Sequence, residues 1–145
     1  MAKIWNTKFE LSLRALMLLS ADSATPKTLD MIALLDTIAI YGEDFGISVE
    51  NLHGDIDFAL DEFDARREIM KLAIKDLVLQ GLAISVKGSE GFRYTISPTG
   101  DEYCKRLTSD YAVEYKQLAQ EVKHLVKLQS EKEIFDMISK QISTS

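Results

Sequence analysis

The chain has one cysteine, two prolines, two histidines and one tryptophan among 145 residues. The single thiol, Cys104, cannot close an internal disulfide and supplies neither a metal cluster nor a redox pair, which fits a reducing cytoplasm. The two histidines, His53 and His124, have no neighbours at metal-ligand spacing, so no metal site is expected. "GSEG" at residues 88–91 lacks the lysine and helix start of a phosphate loop. With no catalytic grouping and no cofactor signature, the sequence gives no reason to expect an enzyme. Long apolar runs are missing too. No stretch approaches the roughly 20 apolar residues that cross a bilayer, and "MAKIWNTKFE" lacks an export peptide's apolar core, so a soluble chain with no membrane partner is expected.

Basic residues are absent from one whole segment. Between Thr28 and Ala65 there are ten acids and no Lys or Arg, while the rest of the chain holds 13 acids and 17 bases. An acidic region is thus set against a mildly basic remainder within a net charge of −6. Such a division suits either an electrostatically selected partner or a solvated acidic surface. The acids Asp55, Asp57, Asp61, Glu62 and Asp64 lack the spacing of a calcium loop and read as helix-start charges.

What is present is helical periodicity. Thr7 stands three residues before Glu10, a capping box, ahead of an apolar block at Leu11, Leu13, Ala15, Leu16, Leu18 and Leu19. A second apolar helix follows Thr28 and can end at Gly42. "EDFGISVENLHGD" has no period and reads as a loop; His53 lies there among carboxylates able to raise its pKa. The third helix, in "DEFDARREIMKLAIKDLVLQGLAI", buries Ile69, Met70, Ala73, Ile74 and Leu77 and ends at Gly81. Arg67, Lys71 and Lys75 share an outward stripe. Arg66 points inward and therefore needs an ion partner, for which Glu10, Asp36 and Asp64 are the candidates.

"LAISVK" and "FRYTIS" alternate around "GSEG" as a hairpin, and Ser97-Pro98 opens a further helix. Helix, helix, helix, two-stranded wing, helix is the winged-helix order. The expected fold is mostly α: a winged-helix domain over residues 1–108 and a C-terminal helical extension over 109–145, packed on that domain or on a partner. In the extension, Tyr111, Tyr115, Leu118, Val122 and Leu125 recur at alternating spacings of four and three, a seam that needs a partner helix. That partner is either the chain's own first helix or another molecule. Ser130 and Glu133 form another capping box, before Ile134, Phe135 and Ile138.

Two readings of the third helix follow. As a DNA reader it would present Arg67, Lys71 and Lys75 to the major groove, with Lys87 and Arg93 as candidate DNA contacts on the wing. Against this, Glu68, Asp76 and the acidic segment oppose phosphate binding. As a docking helix it would present the same three residues to a protein, with Tyr111, Tyr115, Leu118 and Val122 as a second partner-binding face.

"WNTKFELSLRALMLL", "ARREIMKLAIKDLVLQGLA", "GFRYTISPTGDEYCKRL" and "SDYAVEY" together resemble the middle component of bacterial ABC-three-component systems, over about Trp5 to Val126. The resemblance rests on Trp5-Asn6-Thr7, Glu10, Leu-Arg-Ala-Leu at 13–16, paired Arg66 and Arg67, Tyr94, and Ser109 with Tyr111 and Ala112. Where the family tends to have proline after Leu-His, this chain has Gly54. The resemblance implies a non-catalytic subunit encoded between an SMC-like or ABC-type ATPase and an effector, often a nuclease, in Lamassu-like defence systems. DNA contact would then belong mainly to the assembled complex. The rival expectation is a homodimeric winged-helix transcription regulator.

Overall fold

The computed structural model describes residues 7–53 and 59–144. Trp5, Asn6, Gly54, Asp55 and Asp57 lie outside the described residues, as does the side chain of Asp61. Among the described residues six α-helices and one hairpin follow in the order α1 (Lys8–Ala21), α2 (Leu29–Ile40), α3 (Ala59–Leu79), β1 (Ala83–Gly88), β2 (Gly91–Ile96), α4 (Pro98–Lys105), α5 (Asp110–Leu125) and α6 (Glu131–Thr144). This is the winged-helix order with a helical C-terminal extension. No described helix is long and apolar enough to cross a membrane.

Polar caps set the helix starts. Thr7, Thr28, Ser97 and Ser109 each accept a hydrogen bond from the backbone N–H three residues on, occupying donors that the first turn leaves open. Ser130 and Glu133 close a full reciprocal box, at 2.7 and 3.1 Å. At the end of α3, Gly81 takes φ 75°. The N–H groups of Gly81 and Leu82 bond back to the carbonyls of Val78 and Leu77, the paired closure that a left-handed residue permits. The chain then turns directly into the wing. The second helix ends earlier than Gly42 suggested: Tyr41 caps it, and Gly42–Phe45 form a short 3-10 turn.

The hairpin register decides which side chains share a face. Ile84 pairs with Thr95 and Val86 with Arg93, whereas Lys87 pairs with Phe92 and Ser85 with Tyr94. Because cross-strand partners share a face, Ile84 and Val86 lie opposite Phe92, Tyr94 and Ile96 and are nearly half exposed. Lys87 and Arg93 accordingly belong to opposite faces. A one-residue third strand completes the wing, where Lys27 and Tyr94 exchange backbone hydrogen bonds of 3.0 and 2.8 Å.

The core lies where α1 packs on α3 and α5, and α2 packs on α3, α5 and α6. Tyr115, Leu118 and Val122, expected as a partner-binding seam, are buried in it. The first two helices are the seam's partner, and these three side chains are packed within the chain's own core. Leu125, at the seam's end, remains exposed. In α6, Ile134 and Ile138 find cover while Phe135 stays nearly half exposed.

Among the described glycines, Gly100 leaves the least room for a side chain. A Cβ there would stand 1.9 Å from the Leu82 carbonyl oxygen and 3.0 Å from the Ile96 side chain. Gly100→Ala should therefore force α4 away from the wing's base and lower stability by at least ~1–3 kcal/mol, the usual range for overpacking. Urea denaturation checks this, and an unchanged midpoint would mean that α4 moves freely.

Candidate functional site

Asp36 lies fully buried in α2, and three other helices converge on it. Arg14 of α1 is also fully buried and donates to both carboxylate oxygens, Nε to Oδ1 at 2.9 Å and Nη2 to Oδ2 at 3.1 Å. The Tyr115 hydroxyl of α5 donates to Oδ1 at 2.6 Å. Arg66 of α3, 2% exposed, brings Nε to 3.4 Å from Oδ2. Its Nη2 donates to Thr37, and its guanidinium lies 5.9 Å from the centre of the Phe63 ring. Glu62 stands 3.9 Å away and accepts from the Tyr41 hydroxyl at 2.8 Å.

The inward direction of Arg66 follows from helical periodicity, but among the described residues its partners are Asp36 and Glu62, not Glu10. Glu10 serves instead in the first turn of α1, where its N–H bonds to Thr7. Arg14 is the residue that sequence reasoning missed. A guanidinium inside the apolar block Leu11–Leu19 was the available signal, matched by one acid inside the apolar run Leu34–Ile40.

Electrostatics here is governed by burial and opposite charge. Burial alone would favour a protonated Asp36, but Arg14 and Arg66 outweigh it and hold its pKa below the ordinary carboxylate value. Burial likewise opposes the Arg14 charge, and Asp36 more than compensates. The same ionic group adds to the effect of burial on His53. Its ring nitrogen Nε2 lies 2.7 Å from the Tyr111 hydroxyl, and Tyr111 stacks on Tyr115 with ring centres 6.3 Å apart. Burial and then the nearby Arg14 charge push the His53 pKa down to about 3. The expected upward shift from neighbouring carboxylates is thus reversed. Burial also pushes the Tyr111 hydroxyl up to about 12. Tyr111, another expected partner contact, faces inward to His53 through this hydroxyl.

The outward stripe of α3 has a different character. Arg67 is engaged by Asp30 of α2 and, at 3.2 Å, by Glu68. Lys71 and Lys75 are exposed and have no ion partner among the described residues. Beside them Leu72 is 54% and Leu79 74% exposed. At the edge of this surface Lys8 of α1 pairs with Asp76 at 2.8 Å. The outward face is therefore a mixed strip of two free cations and two large aliphatic side chains. Among the described residues no group of three or more His, Cys, Asp and Glu stands where it could hold a metal.

Asp36→Ala should destabilise the protein by ~3–5 kcal/mol, because it leaves two buried guanidinium groups without their carboxylate. Urea denaturation measures this, and a loss below about 1 kcal/mol would remove Asp36 from the centre of the fold. The pKa directions also fix a pH dependence. A lowered His53 value means that the unfolded chain binds a proton between about pH 6.5 and 3 that the native state refuses. Stability contributed by neutral His53 is present above pH 6.5 and lost progressively on acidification, at up to ~1.4 kcal/mol per pH unit. Lowered Asp36 acts in the same sense, its contribution being full above pH 3.8 and lost as pH falls through its depressed folded value. His53→Gln should flatten the stability profile between pH 6.5 and 4, and an unaltered slope there would place the titration elsewhere.

No curated protein and no solved structure matches the chain. Residues 4–145 match the family described as ABC-three component (ABC-3C) system Middle Component 2. The match continues past Val126, where the sequence resemblance stopped, through α6. It thus spans the buried pairs on α1, α2, α3 and α5, the wing and the tail alike, and the chain belongs to the ABC-three-component system Middle Component 2 family.

Proposed function

We propose that the chain is a non-catalytic adaptor which couples an SMC-like or ABC-type ATPase to an effector, often a nuclease, in a prokaryotic complex directed against phage or plasmids. Family membership supports a place within a multi-component system. The observation that carries the docking role is the mixed strip on α3, with Leu72 and Leu79 beside Lys71 and Lys75. Exposed aliphatic surface gains nothing from a phosphate backbone but gains from burial against protein. Arg67, which a DNA reader would use, is already neutralised by Asp30 and Glu68. The wing cations Lys87 and Arg93 belong to opposite hairpin faces, so they do not form one extended basic surface with α3. On this reading DNA is reached through the assembled cytoplasmic complex. Domain 1–108 supplies the α3 face, and 109–145 braces it from behind.

The rival reading is a homodimeric regulator that uses Lys71 and Lys75 on DNA. Co-purification of the chain with the products of its neighbouring genes, followed by size-exclusion, separates the two. A defined complex containing a large ATPase is the expected result. A partner-free homodimer that shifts duplex DNA with steep salt dependence would overturn the adaptor. Lys71→Glu with Lys75→Glu should reduce partner capture at least tenfold while leaving the urea midpoint within about 0.5 kcal/mol, since both side chains lie on the surface. Undiminished capture would remove α3 from the interface.

A further inference from the structure

A cavity of about 430 Å³ opens between the end of α1, the segment 22–27, α2 and the α5–α6 junction. Its floor includes Leu18, Leu35, Val122 and Ile134, all core residues. Four cations line it: Lys27, Arg93, Lys123 and Lys127. The one acid in the lining, Asp22, is occupied with Lys27 at 3.1 Å. The Lys27 ammonium, buried between Asp22 and the Thr25 carbonyl, is thus satisfied within the chain. The other three cations are exposed and have no ion partner among the described residues.

Their grouping is not explained by the fold. Lys123 lies in the last turn of α5, where the helix dipole favours a cation. Arg93 comes from β2, brought to the rim by the Lys27–Tyr94 bridge, and Lys127 comes from beyond the helix end. Three like charges, two from the end of α5 and one from β2, therefore face one aliphatic cavity. This happens in a protein whose net charge is −6. The volume and the apolar lining with a few convergent polar groups are those of a binding site.

We infer that this cavity docks an acidic segment of a partner protein, with aliphatic side chains on the floor and flanking carboxylates on Arg93, Lys123 and Lys127. The absence of aromatic residues from the lining argues for peptide over single-stranded nucleic acid, whose bases are held by stacking on aromatic rings. Met31 adds an adaptable apolar contact of the kind that accepts varied aliphatic side chains. The inference names a second docking face for the adaptor and rests on that reading.

The test is selection of a displayed library of random twelve-residue peptides against the full chain, wild type and Lys123→Glu/Lys127→Glu. Acidic peptides with one or more aliphatic residues should be enriched on the wild type only. A synthetic copy of the best peptide should lose at least tenfold in affinity for the charge-reversed chain, and similarly when its aliphatic residue is replaced by Ser. Arg93→Ala supplies a second variant should the first not fold. A basic or neutral consensus, no enrichment, or undiminished binding by the variants would overturn the inference. So would displacement of the peptide by a twelve-nucleotide single strand at lower concentration than the peptide itself. Because the selection uses the isolated chain, its failure alongside successful ATPase capture would sink this site and leave the adaptor standing. Enrichment without any captured partner would do the reverse.

Discussion

One buried carboxylate organises this molecule. Asp36 receives Arg14 from α1, Arg66 from α3 and Tyr115 from α5, so four helices have their mutual positions fixed by one charged group. An apolar core of similar volume would fold as well or better, because desolvating charges is costly. What an ionic centre adds is direction. A guanidinium meets a carboxylate in two-point geometry, and this limits how α1 can rotate or slide against α2. The net charge of the centre also matters. Two guanidinium groups share Asp36, with Glu62 as the more distant compensation, and the Arg14 and Arg66 charges reinforce the burial that keeps His53, bonded to Tyr111, neutral.

This rigidity connects the fold to the proposed docking. The strip on α3 and the cavity beside the α5–α6 junction are carried by helices that meet at Asp36. Leu72 and Lys75 are displayed outward because Met70, Ala73 and Leu77 are locked inward. Likewise Val122 forms cavity floor because Tyr115, two turns earlier, is anchored to the same carboxylate. An interface built on fixed helices loses less conformational freedom on binding than one on loops.

Much of the fold was legible because periodicity and caps are local signals. Thr7, Ser97 and the Ser130/Glu133 box all stand where they do in the sequence reading, and the hairpin closes at the expected turn. Less legible was anything that depends on which surfaces meet. The spacing of Tyr115, Leu118 and Val122 announced that α5 needs a neighbour, but spacing carries no identity for that neighbour, and the chain's own α1 and α2 take it. Arg66 was oriented correctly by its angle on the helix, while its partner depended on a contact across 30 positions of sequence. Alternation in the wing identified strands without fixing their register, so which side chains of β2 share a face with Ile84 and Val86 stayed open until the fold was known. The cavity cations were invisible for the same reason: Lys27, Arg93 and Lys127 are far apart in the chain, and only the folded wing and tail assemble them.

Asp36 also sets an order in time. During synthesis Arg14 emerges ahead of it and Arg66 follows soon after, so the carboxylate can be neutralised while the chain is still short. Tyr115 arrives last, and with it the apolar side of α5 that covers α1 and α2. Until about residue 122 has left the ribosome, the nascent first helices therefore carry an uncovered apolar surface with its charge already paired. That intermediate is protected against misplaced ionic contacts but open to hydrophobic ones until α5 closes over it.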